Sequence, residues 1–212
     1  MNLGRVGIWT GQLDYQPASA ARDAVAELED LGYGAIWVGE ARGREALSNA
    51  GLLLSATTRL TVATGIANIW VRDALAMLAG QYTLAEAYPE RFLLGLGVSH
   101  APLIEDMRGH EYHQPLATMR RYLDAMDQAV SVYRAVPPAA PPPRVLAALG
   151  PKMLQLAAER AHGAHTYFVP PEHTAQARGI LGRGRWLIPE QAAVLETDPV
   201  RARELAGTRA CT

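Results

Sequence analysis

Cysteine is almost missing from this chain. Its one copy, Cys211, stands beside the C-terminus without a partner, which excludes an internal disulfide and fits a cytoplasmic protein. Excess charge is missing too. With a formal net charge of -1, nothing electrostatic argues for nucleic acid or an anionic membrane surface as a partner. No apolar run approaches the ~20 residues of a membrane helix. The N-terminal MNLGRVGIWTG carries one arginine but no sustained apolar stretch behind it, which makes a poor secretion signal. Low-complexity sequence is absent as well, and the stiff VPPAAPPPR (Val136–Arg144) is too short to link domains. A single soluble domain over residues 1–212 is expected.

Short apolar runs alternate with longer segments of helical spacing. The runs are Leu3–Trp9, Ala35–Gly39, Leu60–Ile69, Phe92–Val98, Val145–Leu149, Ala164–Val169 and Trp186–Leu195. Between them, Ala21, Ala24, Val25, Leu28 and Leu31 recur at steps of three and four, with Gly32 as a C-cap. Further helices are expected around Leu47–Ala56, Val71–Ala87, Leu116–Tyr133, Lys152–Ala161 and Glu172–Leu181. This alternation implies an α/β fold with a parallel sheet covered by helices.

Two architectures fit, a doubly wound open sheet and a (β/α) barrel. A dinucleotide fold places G-x-G-x-x-G directly after its first strand. Here the first run leads into TGQLDYQP, and the glycines of RFLLGLGVSH sit on the fourth run with His100 where a third glycine belongs. The barrel is favoured, with about seven strand–helix units of the eight it needs. Barrels gather their chemistry at the C-terminal ends of the strands, which directs attention to the polar residues and glycines there.

Glu40 is the first candidate, an acid/base group directly after AIWVG, where partial desolvation would tune it for proton transfer. The competing reading is an ion pair with Arg42 or Arg44. Gly97, Val98, Ser99 and His100 offer backbone N–H groups and a hydroxyl to a phosphate or ring edge; the bland alternative is a glycine-rich packing strand. Gly150, Pro151, Lys152 and Met153 place a proline at a helix start after a glycine, a natural anion site or else a tight turn. Gly65 in TGIAN interrupts a strand, as a bulge or a close backbone approach to a flat ligand would. Thr166 lies within the sixth run. His110 and His113 lack the HExxH spacing, so no metal is expected. A loop of about fifteen residues, Ala101–Pro115, is long enough to serve as a lid.

Together, AIWVGEARGREAL, RLTVATGIANIWVRDALAMLAGQYTLAE, RFLLGLGVSH and LAALGPKMLQLAAERAHGAHTYFVPPEHT resemble the luciferase-like monooxygenase superfamily. Within it the chain is most similar to actinobacterial oxidoreductases that use the deazaflavin coenzyme F-420. The resemblance implies a TIM barrel with a flavin or deazaflavin at its mouth. Gly65, Ile66, Ala67 and Asn68 would back the ring, often through a non-prolyl cis peptide. The loops Gly97–His100 and Gly150–Met153, with Thr166, would bind the cofactor. Glu40, or His100, would exchange a proton during hydride transfer between reduced F-420 and a small organic substrate. FMN is the alternative cofactor, with monooxygenation or non-catalytic flavin binding as alternative roles. A homodimer through the helices after the second and third strands is also implied. The family's barrel has eight strands, whereas this chain supplies seven and ends in ELAGTRACT. A shortened member with an unpaired edge between its first and seventh strands is therefore expected.

Overall fold

The computed structural model describes residues 1–209; Cys211 lies outside them. Its elements follow the expected alternation: β1 (Ile8–Trp9), α1 (Ala18–Asp30), β2 (Ala35–Val38), α2 (Ala46–Leu54), β3 (Thr61–Thr64), β4 (Ala67–Asn68), α3 (Ala74–Ala87), β5 (Phe92–Gly97), α4 (Ala101–Ile104), α5 (Pro115–Ala129), β6 (Arg144–Ala147), α6 (Pro151–Arg160), β7 (Gly163–Tyr167), α7 (Pro171–Leu181), β8 (Trp186–Glu190) and α8 (Pro199–Arg209). Every strand pairing is parallel, in the order β1-β2-β3-β5-β6-β7-β8, with β4 beside β5.

The sheet curls into a barrel wall. In a flat sheet β2 and β7 would lie about 19 Å apart, four steps of strand spacing. Instead Trp37 of β2 stacks on His165 of β7 with ring centroids 4.8 Å apart. Only a closed-up curvature brings those rings together. β1 and β8 form the two ends of the sheet, and a cleft of about 1370 Å³ opens between them.

Strand alternation divides the core in two. Ala35, Trp37, Ala63, Leu93 and Val145 face the lumen, joined by Trp186 and Ile188. Ile36, Val38, Val62, Leu94, Leu96, Leu146 and Ala164 face outward against the helices. The helices start where local chemistry satisfies their first N–H groups. Glu45 caps α2 through Leu47 and Ser48, and Asp73 caps α3 through Ala76 N at 2.8 Å. Proline opens α5, α6 and α7 at positions with no N–H to satisfy.

Three expected runs depart most from the observed strands. Strand structure in the first run covers only Ile8–Trp9, because Gly4 turns with φ +67° where the chain crosses Gly34. Leu60–Ile69 divides into β3 and β4 around a cis Gly65–Ile66 peptide. There the Thr64 hydroxyl accepts from Gly95 N and donates to Gly95 O, both at 2.8 Å, replacing the interrupted ladder. The last run stops at Glu190. The proline-rich connector is fastened by buried Gln81, whose amide donates to Pro143 O at 3.1 Å. No helix among the described residues is long and apolar enough to cross a membrane.

Candidate functional site at the C-terminal mouth of the barrel

Because the strands are parallel, their C-terminal ends share one rim. Three glycines end neighbouring staves on the inside of that rim, Gly39 after β2, Gly65 after β3 and Gly97 ending β5, and side chains from elsewhere lie over each of them. A Cβ at Gly97 would meet Ile66 Cγ1 at 2.5 Å and Ala147 Cβ at 3.2 Å. At Gly65 it would meet Trp9 Nε1 at 2.8 Å, and at Gly39, Trp9 Cζ2 at 3.3 Å. The Trp9 indole therefore lies against the glycine floor, and its N–H donates to Gly65 O at 2.8 Å. Trp9 thus covers Gly39 and Gly65, while Ile66 and Ala147 lie over Gly97. Tyr167 stands edge-on to Trp9 at 6.3 Å, with Phe168 beside it. Both are substantially exposed, so the mouth has aromatic walls open to solvent.

Glu40 does not stand free in this mouth. Gly39 takes the lumen side, and Glu40 turns outward into a buried position. Its carboxylate accepts from Asn68 N at 2.8 Å, Ala46 N at 3.1 Å and Arg72 Nη1 at 2.9 Å, and Arg72 Nη2 completes a two-pronged pair. The ion-pair partner is Arg72 on the β4–α3 loop, rather than Arg42 or Arg44. Arg72 also binds Glu45 at 2.6 Å, tying the start of α2 into the same cluster. Glu45 is pulled below the usual carboxylate range although burial opposes it, because hydrogen bonds from Ser48 and Leu47 and the charge of Arg72 prevail. Four donors on one carboxylate make Glu40 a brace for the β4 segment.

The sequence-predicted residues divide into groups. Glu40, Gly65, Ile66, Ala67, Asn68 and Gly97 form one contiguous cluster: Asn68 N binds Glu40 and Asn68 registers with Gly97. Val98 O accepts from the Trp70 indole at 2.8 Å, and Ser99 O from the Tyr112 hydroxyl at 3.3 Å. Through Tyr112 and His113, which pack on Trp70, the Ala101–Pro115 segment is fastened over this edge. Burial raises the Tyr112 pKa, so its hydroxyl keeps its proton. His100 is exposed and lines a separate depression of about 680 Å³ with Arg42 and Asp106. Gly150, Pro151, Lys152 and Met153 begin α6 on the next stave, with Lys152 exposed and Leu149 O 2.7 Å from His173 Nε2.

Thr166 needs correcting. It shares the outward face of β7 with Ala164, is fully buried, and its Oγ1 has no partner. A side chain there cannot reach a ligand in the lumen. The neighbouring His165 can, since alternation points it inward. None of the expected site residues lines the large cleft; Gly65 borders it through Trp9 and His165. Trp9, Trp37 and His165 were not singled out from the sequence. Only the lumen-facing parity of their strands marks them.

Residues 3–183 match the luciferase-like monooxygenase family, and the chain belongs to it. A Mycobacterium tuberculosis (strain ATCC 25618 / H37Rv) protein named as a coenzyme F-420-dependent oxidoreductase is 27% identical over 208 residues, covering 85% of this chain. The chain spans 60% of that protein's length. Among solved structures, the F-420-dependent tetrahydromethanopterin reductase of Methanopyrus kandleri superposes with a TM-score of 0.74 at 18% identity, covering 93% of this chain and 68% of its own. The FMN-bound oxygenating component of 3,6-diketocamphane monooxygenase from Pseudomonas putida gives 0.67 at 12%, covering 83% and 61%. These two likenesses establish the shared barrel fold.

Proposed function

We propose that this chain acts as one domain that binds the deazaflavin ring of coenzyme F-420 at its mouth, and serves an oxidoreductase acting on a small organic substrate. The observation that carries this reading is glycine at three neighbouring strand ends, Gly39, Gly65 and Gly97, with the Trp9 indole lying over Gly39 and Gly65 where a ligand ring would take its place. Family membership and the name of the M. tuberculosis relative support it.

When bound, the deazaflavin would supply the hydride. The protein's own residues supply placement. Gly65 to Asn68 back the ring, and the Glu40–Arg72 brace keeps that backing rigid. A bound ring would displace the Trp9 indole from Gly65, with Tyr167 at the open side of the mouth. Lys152 and the N–H groups opening α6 are assigned to the phosphate-bearing tail. Self-association is assigned to α2 and α3, where Leu75 stands exposed.

A fluorescence titration tests the reading, with coenzyme F-420 and FMN added separately to the chain. Micromolar binding of F-420 supports it. Preference for FMN would move the assignment to a flavin-dependent monooxygenase, whose ring the same floor admits. Binding of neither would refute it.

A further inference from the structure

Inside the barrel, His165 has one nitrogen committed and one free. The residue is 5% exposed and stacks on Trp37 with an interplanar angle of 17°. Its Nδ1 lies 2.9 Å from Ile188 O. A carbonyl only accepts, so Nδ1 carries the hydrogen and the neutral ring presents a lone pair at Nε2. That Nε2 makes no hydrogen bond among the described residues, and it lies 3.4 Å from where a Gly65 Cβ would stand. Stacking and the Nδ1 anchor fix its direction. Burial, partly offset by the Ile188 contact, pushes its pKa below the ordinary histidine value, so the ring is neutral at neutral pH. His165 lines the open cleft together with Trp9, Trp37 and Ile188, so a ligand entering the cleft can meet its free nitrogen.

We propose that His165 Nε2 is the proton acceptor of the mouth, engaging the edge of a fused heteroaromatic ligand that carries an N–H or O–H beside Gly65. The inference rests on the flavin-binding reading above and adds a named group to it. In the step, the ligand's N–H or O–H bond gives its proton to Nε2 and keeps the bonding electrons. The imidazole becomes imidazolium and returns the proton when the charge on the ligand is withdrawn. The elements packed around His165 present Trp9, Trp37, Gly65 and Ile188, none of which titrates in this range. Tyr167 and Glu190 pair across β7 and β8 at the rim, and Arg5, Arg178, Arg183 and Arg185 line the same cleft.

The test uses the full chain with 15N-labelled histidine, with His165→Gln assigning the resonances. In the free protein at pH 7 the His165 signals should report a neutral ring with hydrogen on Nδ1. Addition of F-420 or FMN should shift the Nε2 resonance and leave Nδ1 nearly in place. His165→Asn, which keeps an N–H for Ile188 O but removes Nε2, should bind about tenfold more weakly, the value of one hydrogen bond. His165→Gln, with an amide at the Nε2 position, should restore most of that affinity. Melting temperatures establish that the variants fold. An Nε2–H tautomer in the free protein overturns the proposal. So does ligand binding that leaves both Nε2 and the Asn variant's affinity unchanged, in which case the flavin-binding reading survives alone. Failure of the wild type to bind either cofactor overturns that reading, and the assignment of His165 falls with it.

Discussion

Replacing Glu29 by glutamine should cost about 3 kcal/mol of stability at pH 7, and that cost should fade in acid. Glu29 sits near the end of α1 and is 9% exposed. Its carboxylate accepts the backbone N–H groups of Thr58 at 3.0 Å and of Arg59 and Leu60 at 2.6 Å, together with the Thr58 hydroxyl. It thereby fixes the turn that launches β3. Burial alone would raise the pKa, but the combined hydrogen bonds lower it from 4.5 to about 2. At 1.36 kcal/mol per unit this corresponds to about 3 kcal/mol of preference for the charged form in the folded state. The folded pKa is depressed, so this stabilisation is complete above the unfolded value near 4.5 and is lost as pH falls through about 2. Glutamine offers one acceptor and turns an N–H₂ toward a cluster of donors. Urea unfolding of wild type and Glu29→Gln, repeated from pH 7 to pH 2, reads the difference directly. Within the window the wild type should lose about 1.4 kcal/mol per pH unit relative to the variant. A variant as stable as wild type at pH 7, or a gap that stays constant down to pH 2, would refute the role.

Arg72→Met leaves the buried Glu40 charge with two backbone donors. It should destabilise by about 3 kcal/mol in thermal melts, with part of the loss recovered in the Glu40→Gln, Arg72→Met double variant. Gly97→Val drives a side chain into Ile66 and Ala147. A cost of about 1–3 kcal/mol in denaturant unfolding is expected from overpacking, with flavin affinity lowered by displacement of the Gly65–Ile66 floor. Lys152→Ala should weaken FMN several-fold and leave riboflavin, which has no phosphate, unchanged in the same fluorescence titration; equal effects on both would remove Lys152 from the tail site.

The barrel was legible because its signal is local and repeated. Apolar runs of strand length, each followed by a helical period and often opened by proline or an acidic cap, leave few topologies once chain order and handedness are respected. The clustering of Glu40 with Gly65 to Asn68 and Gly97 was legible for the same reason, as these positions end adjacent parallel strands. The face each residue takes was not legible. Thr166 and His165 differ by one position, and a strand's parity is invisible when both of its faces are buried. The partner of Glu40 was hidden because Arg72 comes from 32 residues further along the chain, whereas Arg42 and Arg44 are its immediate neighbours.

That parity decides which groups can take part in chemistry. Outward positions at the strand ends, such as Glu40 and Thr166, are buried. A charge there persists only if fully paired, and Glu40 is, through Arg72 and two backbone N–H groups. Releasing that carboxylate for proton transfer would break the contacts that hold β4 and the start of α2 in place, so the group best suited by type is the one least able to move. Inward positions carry the opposite constraint. The lumen is lined by indole, imidazole and glycine, and a group there acts only if one of its atoms is left unpaired and aimed at the floor. His165 meets that condition through Nε2. The inner face of β7 thus carries an imidazole nitrogen without a protein partner, and the outer face of β2 a carboxylate locked in an ion pair.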